Sequence, residues 1–295
     1  MVNEIQVKSI LNKQKKRDEW FLCDYTLNPY SGCSFNCIYC YIRGSKYGEN
    51  MVNTLSVKVN APELLGKQLS RRAKKEEYGI IALSSSTEPY MQIEEKLKLT
   101  RRLLEIILKY KFPVEITTKS KLVLRDLDLL KEINRSAILP DDLKPQLKHG
   151  AIISFSVSTL DDKLAKILEP GAPTPKERLE TMKKCKEKGF FTGVCYIPVL
   201  PFLSDSEEEL DRTIKTVKDY GADFIFVGGL TLFGNSPGDS KTLYYKFLEK
   251  YYPELVPKYK SLYRIFFAPS KEYQRELEEK SKKFCEKYGI KSRIV

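Results

Sequence analysis

Three cysteines stand close together in residues 28–41, with spacings of four and three residues. They are Cys33, Cys37 and Cys40, and Cys33 directly follows Gly32. These spacings bring the three sulfurs to one side of a compact loop, and soft thiolate ligands select iron–sulfur clusters, zinc or copper(I) over ions that prefer oxygen. We therefore predict a metal centre bound by Cys33, Cys37 and Cys40.

The predicted ligand set is incomplete for a closed metal site. A structural zinc normally takes four protein ligands. A fourth would have to come from the only histidine, His149, or from one of the other cysteines, which are Cys23, Cys185, Cys195 and Cys285. None of these stands in a second paired motif, so the sequence predicts an open metal position that accepts a ligand. The alternative is a set of buried thiols that act as small hydrophobic side chains.

Six short apolar runs alternate with amphipathic segments of helical period. They are residues 21–27, 80–83, 114–118, 151–157, 192–197 and 224–227. Such an alternation predicts a parallel sheet covered by helices on its outer face, and hence the α/β class with six βα units. One helix should begin after Thr174, because Thr174, Pro175 and Glu177 occupy capping-box positions.

Polar side chains follow each predicted strand, where a parallel barrel carries its functional groups. Residues 84–90 and 117–120 follow the second and third strands. Ser154, Ser156 and Ser158 share one side of the fourth strand, which we predict to face the barrel lumen. A carboxylate, hydroxyls, a cation and close backbone approach together suit a zwitterionic nucleoside ligand.

The C-x3-C-x2-C motif, with Tyr39 before its last cysteine, resembles the signature of the radical S-adenosylmethionine (SAM) enzymes. The resemblance implies a partial (β/α)6 TIM-type barrel and a [4Fe–4S] cluster whose fourth iron chelates SAM. It also implies an enzyme, lyase or transferase-like, in which an electron from the cluster cleaves SAM to methionine and a 5′-deoxyadenosyl radical that abstracts hydrogen from a substrate. A low-potential electron donor of flavodoxin or ferredoxin type would be its partner.

Longer motifs narrow the resemblance to the spore photoproduct lyase-like radical SAM proteins over about residues 24 to 230. They are N-P-Y-S-G-C-x3-C-x-Y-C-Y, S-x-T-E-P-Y, T-K-S-x-L-V-L-R-D-x-D-L-L and L-E-P-G-A-P-x-P-x-x-R-L. The resemblance implies that Cys33, Cys37 and Cys40 bind the cluster and that Tyr39 contacts adenine. Further SAM contacts follow from it: the methionine amino group at Thr87 and Glu88, the ribose at Ser156 and Ser158, and the carboxylate at Lys119 and Arg178.

Several of these residues also have purely structural interpretations. Glu88 stands before Pro89 and could simply terminate its loop, and Arg178 could pair with a neighbouring glutamate on the helix surface. Glu169, before Pro170, is either part of a hinge or a substrate-facing acid. The only histidine, His149, is expected at the surface.

The sequence departs from spore photoproduct lyases at one position that matters for the reaction. Those enzymes use a cysteine after the second strand to return a hydrogen atom, whereas this chain has Ser84, Ser85 and Ser86 there. Cys195, on the fifth strand, is the candidate hydrogen donor, and a buried strand thiol is the alternative. This departure leaves the substrate and the hydrogen donor undetermined.

Composition restricts the environment and the partners of the protein. The chain of 295 residues has 51 Lys and Arg against 39 Asp and Glu, a net charge of +12. Most basic residues are mixed with acidic ones, as on solvated helix faces, but the excess makes nucleic acid a candidate partner. No apolar run is long enough for a membrane span, and the odd cysteine count favours a reducing, cytoplasmic environment. The oligomeric state is not determined.

We predict three segments and keep three classes of function. Residues 1–21 form an N-terminal extension that packs on the outside, residues 22–230 the barrel, and residues 231–295 a helical C-terminal extension with helices near 241–250, 259–267 and 272–288. Its many tyrosines could stack nucleobases or pack as a cap. The substrate could be a nucleic-acid base or lesion, or a peptide or metabolite; a non-catalytic metal-binding module is the third class.

Overall fold

The computed structural model describes residues 2–45, 48, 55–264 and 267–295, and its strands form two sheets. The strands in chain order are β1 (Val2–Ile5), β2 (Leu11–Lys13), β3 (Cys23–Leu27), β4 (Tyr30–Ser31), β5 (Leu55–Lys58), β6 (Ile80–Leu83), β7 (Val114–Thr118), β8 (Ala151–Val157), β9 (Phe191–Val199) and β10 (Phe224–Gly229). The larger sheet has the order β10-β9-β8-β7-β6-β3-β2. Strands β3 and β6–β10 are parallel to one another, which confirms the six predicted βα units and the partial barrel.

Helices cover the outer face of this sheet and continue beyond its last strand. They are α1 (Ala61–Ala73), α2 (Glu94–Leu97), α3 (Leu99–Lys109), α4 (Leu127–Ser136), α5 (Asp162–Leu168), α6 (Pro175–Glu187), α7 (Glu207–Asp219), α8 (Ser240–Tyr251), α9 (Val256–Leu262) and α10 (Lys271–Tyr288). Helix α6 begins with the predicted capping box, in which Thr174 and Glu177 satisfy each other's backbone N–H groups.

The alternation of side chains along β8 separates the two faces of the barrel. Ile153, Phe155 and Val157 belong to the main hydrophobic core with the helices. Ser156 lines the lumen, as predicted for the serine side of this strand. Since neighbouring strands follow the same alternation, polar residues can line the upper lumen while the outer face stays apolar.

The prediction that residues 1–21 pack on the outside is wrong for the second half of that segment. Strand β2 pairs antiparallel with β3 and extends the barrel sheet. Trp20 stacks on Phe226 with ring centroids 6.2 Å apart, and a Cβ on Gly228 would lie 2.6 Å from the Trp20 ring. The N-terminal segment therefore closes one side of the barrel, because its aromatic side chains bury more apolar surface there than on the exterior.

The tyrosines of the C-terminal extension mainly form a packed cap. Tyr244, Tyr259 and Tyr263 are buried in a second hydrophobic cluster. The hydroxyl of Tyr259 donates to the Pro201 carbonyl at 2.6 Å, and that of Tyr263 to the Leu230 carbonyl at 2.8 Å. Helix α9 ends at Leu262, earlier than the predicted 259–267 segment, of which residues 265 and 266 lie outside the described part.

None of the helices in the described ranges combines the length and the apolarity that a membrane span requires.

Candidate functional site

The cysteine loop follows the short strand β4, at the carboxyl end of the first barrel strand. Gly32 and Asn36 have positive φ angles of 85° and 54°, which curl the chain, and glycine and asparagine tolerate this conformation best. The Cys40 N–H donates to the Cys37 carbonyl at 3.3 Å. These turns place all three cysteine side chains, each partly exposed, along one cavity.

A buried arginine that the sequence did not point to holds this loop closed. Arg43 is 4% exposed, and its Nε donates to the Cys37 carbonyl at 3.0 Å. Its other nitrogens bond to the Asn36 side chain and, at 3.2 Å, to the Gly238 carbonyl in the C-terminal extension. The loop geometry thus depends on a guanidinium bonded to Asn36, to Cys37 and to the C-terminal extension.

The turn after α5 packs against the opposite side of the cysteine loop. The Ile38 N–H donates to the Leu168 carbonyl at 2.9 Å, and the Gly171 N–H to the Phe35 carbonyl at 3.0 Å. A Cβ on Gly171 would lie 2.9 Å from the Phe35 Cα, a backbone atom that cannot move aside. The glycine of the L-E-P-G motif is therefore required by close packing against this loop.

Among the described residues, no three His, Cys, Asp or Glu side chains converge as they would around a single metal ion. A cluster does not need such convergence, since each cysteine binds a separate iron. Burial raises the pKa of Cys33 to about 12 and that of Cys37 well above its usual value. Coordination would therefore displace thiol protons.

The cavity beside the loop has a volume of about 460 Å³ and collects most of the predicted site residues. It lies at the carboxyl ends of the barrel strands, where parallel barrels place their sites. Of the predicted residues, those that line it are Cys33, Cys37, Tyr39, Cys40, Thr87, Glu88, Lys119, Ser156 and Cys195. Ser158 and Arg178 are not among the lining residues; they lie behind the wall.

Thr87 and Glu88 tie the loop after β6 to its neighbours. The Thr87 hydroxyl donates to the Gly32 carbonyl at 2.5 Å. The Glu88 carboxylate accepts the backbone N–H groups of Tyr90 and Lys119, both at 3.0 Å, and the Thr118 hydroxyl. Burial nevertheless raises the pKa of Glu88. Glu88 therefore has a structural role in the wall, and its carboxylate still borders the cavity.

An ion-pair network lies directly behind the cavity wall, with Glu169 at its centre. The Glu169 carboxylate bonds to the Arg178 guanidinium and the Tyr39 hydroxyl, and accepts the Ser158 hydroxyl at 3.2 Å. Burial alone would raise the pKa of Glu169, but the charges of Arg178 and Lys119 hold it below its usual value. Neither a hinge nor a surface pairing of Arg178 describes this arrangement, since both charged groups are 1% exposed.

Arg178 donates its hydrogen bonds to groups within or beside this network. Its NH1 nitrogen donates to the Ser156 carbonyl at 3.0 Å, and its Nε to the Pro173 carbonyl at 2.9 Å. Lys119 differs, because its Nζ reaches the cavity and donates to the Ser156 hydroxyl at 2.7 Å, with Glu169 only 3.9 Å away. Lys119 is thus the predicted cation that a ligand in the cavity can contact.

A second part of the cavity wall lies in the barrel lumen, below the cysteine loop. Cys195 is 2% exposed and lines it together with Glu115, so the thiol is buried and also borders the cavity. Glu115 was not predicted as a site residue; it accepts the Thr117 hydroxyl at 2.9 Å. Asp18, Trp20 and Phe21 of the N-terminal segment complete this wall.

The buried carboxyl of Glu115 should make stability depend on pH. Burial raises the pKa of Glu115 from 4.5 to about 7. The contribution of its protonated carboxyl to the free energy of unfolding is therefore complete below pH 4.5 and is lost as the pH rises toward 7. Between pH 5 and pH 8 the wild type should lose about 2 to 3 kcal/mol of unfolding free energy relative to Glu115→Gln. Urea unfolding of both proteins at the two pH values measures this difference, and a constant difference would contradict it.

The comparisons with known proteins agree with this geometry. The model of the Radical SAM superfamily matches residues 27–214. An uncharacterized protein of Mycobacterium tuberculosis is 31% identical, with 98% of this chain and 81% of that protein covered. An uncharacterized protein of Methanocaldococcus jannaschii is 29% identical over 68% of this chain and 70% of its own. The Radical SAM Nalpha-GlyT isomerase of Pseudomonas phage M6 is 25% identical over 59% of this chain and 32% of its own.

Solved structures share the fold. A spore photoproduct lyase variant with bound AdoMet and dinucleoside spore photoproduct superposes with a TM-score of 0.67 at 16% identity, covering 97% of this chain and 79% of that chain. A second variant of the same enzyme gives 0.68 at 15% identity over the same shares. Identity this low establishes the architecture and leaves the reaction open. The family match over residues 27–214, more than half of the chain, shows that this chain belongs to the radical SAM superfamily.

Proposed function

We propose that the chain binds a [4Fe–4S] cluster through Cys33, Cys37 and Cys40 and uses it to cleave SAM reductively. The supporting observation is that three thiols of one loop border a cavity of about 460 Å³ that also holds Lys119 and Glu88. When bound, the cluster supplies one electron to SAM, which yields methionine and a 5′-deoxyadenosyl radical that takes hydrogen from a substrate.

The residues that line the cavity fit a [4Fe–4S] cluster and SAM. The Ser84 hydroxyl is buried and has no hydrogen-bond partner among the described residues, while Ser84 itself lines the cavity with a φ angle of 71°. A buried hydroxyl of this kind normally has a partner, so a polar ligand in the cavity would satisfy it. His149 cannot serve as a fourth ligand where it lies, because it stacks on Phe191 at 4.8 Å in the lower barrel.

Each lining residue then has a definite task. Lys119 pairs with the SAM carboxylate, and Ser156, which holds the Lys119 Nζ, contacts the ribose. Thr87 and Glu88 border the methionine amino group. Tyr39 contacts adenine. Ser158 and Arg178 bond to Glu169, and through it they position Tyr39 and Lys119.

Removing the Lys119 charge should weaken SAM binding and leave the cluster in place. Lys119→Met loses one charge-assisted hydrogen bond to a carboxylate, which is worth about 1.5 to 3 kcal/mol, so the dissociation constant should rise about 10- to 100-fold. Calorimetry on reconstituted protein measures it. Lys121→Met, an exposed lysine two residues away, is the matched control and should bind SAM as the wild type does; equal affinities of the two variants would contradict the assignment.

The proposed activity has a direct test. The chain is reconstituted anaerobically with iron and sulfide, reduced with dithionite, incubated with SAM, and assayed for 5′-deoxyadenosine by mass spectrometry. Formation of 5′-deoxyadenosine supports the proposal. Protein that binds a cluster but never forms this product would instead be a non-catalytic metal-binding module.

For the substrate, we propose a nucleic-acid base. The lower cavity wall combines the Trp20 ring with the carboxyl of Glu115 and the thiol of Cys195, and a flat heteroaromatic ring with polar edges suits such a wall. We assign the return of a hydrogen atom to the Cys195 thiol, which borders the cavity, because the hydroxyls of Ser84, Ser85 and Ser86 cannot perform this task. Transfer of deuterium from a labelled peptide or metabolite into 5′-deoxyadenosine would favour the alternative. Reduction in the cell would require a flavodoxin- or ferredoxin-type donor.

A further inference from the structure

A second pocket lies in the C-terminal extension, outside the cavity described above. It has a volume of about 370 Å³, and we call it the cationic pocket. Its principal lining residues are Asn235, Lys241, Tyr245, Lys260, Tyr263 and Arg264. Three of these side chains are cationic, and no acidic residue lines the pocket among the described residues.

Some exposed basic residues of this protein have an acidic partner, whereas the cations of the pocket have none among the described residues. On helices α1, α4, α6, α7 and α10, exposed lysines or arginines pair with a glutamate or aspartate three or four residues away. Within the described ranges, Lys241, Lys260 and Arg264 have no carboxylate within ion-pair distance. The nearby Asp239 carboxylate accepts the Ser236 N–H at 2.8 Å and does not line the pocket. Three cations that line one pocket without an acidic residue give it a positive potential, which attracts an anion.

The wall of the cationic pocket contacts the wall of the main cavity. Tyr263 lines the pocket, and its hydroxyl donates to the carbonyl of Leu230 at 2.8 Å. Leu230 and Thr231 in turn line the main cavity. Tyr263 therefore links the two walls, and a ligand that occupies both sites must be an extended one.

Aromatic rings accompany the charges. Tyr245 is half-buried in the pocket wall. Phe267 is 55% exposed and stacks on Phe233 at 4.5 Å, while the Phe233 carbonyl accepts the N–H of Lys241 at 3.1 Å. Cations that track a phosphate backbone beside exposed rings on which bases stack are the combination that single-stranded nucleic acids require.

We propose that the cationic pocket binds a backbone phosphate of a polynucleotide whose neighbouring base enters the main cavity. Lys241, Lys260 and Arg264 neutralise the phosphodiester, and Tyr245 supplies a stacking surface. Phosphate binding depends only on the pocket itself. The delivery of a base to the cavity rests on the proposed function.

The test compares two triple variants that lose the same net charge. The pocket variant carries Lys241→Gln, Lys260→Gln and Arg264→Gln. The control carries Lys74→Gln, Lys75→Gln and Lys131→Gln, which are exposed residues of α4 and of the turn after α1. Binding of a labelled oligothymidylate of about 15 nucleotides to anaerobically reconstituted protein is followed by fluorescence anisotropy at several salt concentrations. Bound iron and thermal unfolding of both variants verify that they fold.

We expect the pocket variant to bind the oligonucleotide about 10- to 50-fold more weakly than the wild type, and the control to change less than about threefold. The slope of log K against log salt should fall in magnitude by about 0.7, which is the contribution of one neutralised phosphate of single-stranded nucleic acid. Tyr245→Leu should weaken binding about fivefold or more with the slope unchanged, because stacking does not release counterions.

Three results would overturn the proposal. Equal losses in the two triple variants would show that only net charge matters. If oligoglutamate of matched length competes as strongly as unlabelled oligonucleotide, the ligand is an acidic peptide. If inorganic phosphate competes as strongly, the pocket is a small-anion site. Failure of wild-type protein to form 5′-deoxyadenosine would remove the proposed function and leave the binding result standing, so the two can fail separately.

Discussion

Cys37→Ala should abolish both iron binding and SAM cleavage. The thiolate is the only side-chain group that Cys37 offers to an iron, and alanine removes it while Arg43 still closes the loop through the carbonyl of residue 37. We expect bound iron to fall from about four per chain to near zero, and 5′-deoxyadenosine formation to fall by at least about a thousandfold. Cys33→Ala and Cys40→Ala should behave alike. Iron analysis and the mass-spectrometric product assay measure these effects.

A cysteine outside the loop supplies the matched control. Cys285 is 2% exposed and packs in the main core. Cys285→Ala should cost about 1 kcal/mol of unfolding free energy through the small cavity that it leaves, and the variant should retain its iron and its product formation. Full iron content in any of the three loop variants would contradict the assigned ligands.

Glu169→Gln should produce the largest loss of stability. Glu169 and Arg178 are each 1% exposed, so the substitution leaves a buried guanidinium without its counter-charge, which typically costs about 3 to 5 kcal/mol. The native environment lowers the pKa of Glu169 below its unfolded value of 4.5. The stabilisation by the ionised carboxylate is therefore present above pH 4.5 and is lost as the pH falls below that value. Denaturant unfolding at pH 7 and pH 4 should therefore show a smaller difference at pH 4.

Two further variants separate the ion pair from a general effect of substitution. Glu169→Gln combined with Arg178→Met removes both charges and should recover part of the lost stability. Glu63→Gln disrupts a pair with Lys67 that is largely exposed on both sides and should leave the unfolding midpoint unchanged. A midpoint for Glu169→Gln equal to that of the wild type would show that the pair does not stabilise the fold.

The barrel could be predicted because its signals are local. The strands of residues 80–83, 114–118 and 151–157 are each rich in apolar or β-branched residues, and the structure gives these strands the same bounds. The capping box at Thr174 is likewise complete within four residues. The cysteine spacing is equally local, and the loop does bring the three thiols to one cavity.

The partners of the site residues were harder to predict, because they are distant in sequence. Tyr39 and Glu169 are 130 residues apart, and nothing near either one indicates that they bond. For the same reason Arg178 was predicted at the ligand or at the helix surface, whereas its guanidinium turns inward to Glu169. The place of Trp20 in the cavity wall could not be predicted, since one aromatic residue in a charged segment belongs to no periodic pattern.

The closure of the barrel by its N-terminal segment restricts how this protein can be shortened for experiments. A version beginning at residue 22 would lose β2 and leave β3 as an open sheet edge, which invites pairing with other chains. It would also uncover Phe226 and Gly228, which Trp20 now covers. Such a version should aggregate and lose one side of its ligand chamber, although it would keep every cysteine of the loop.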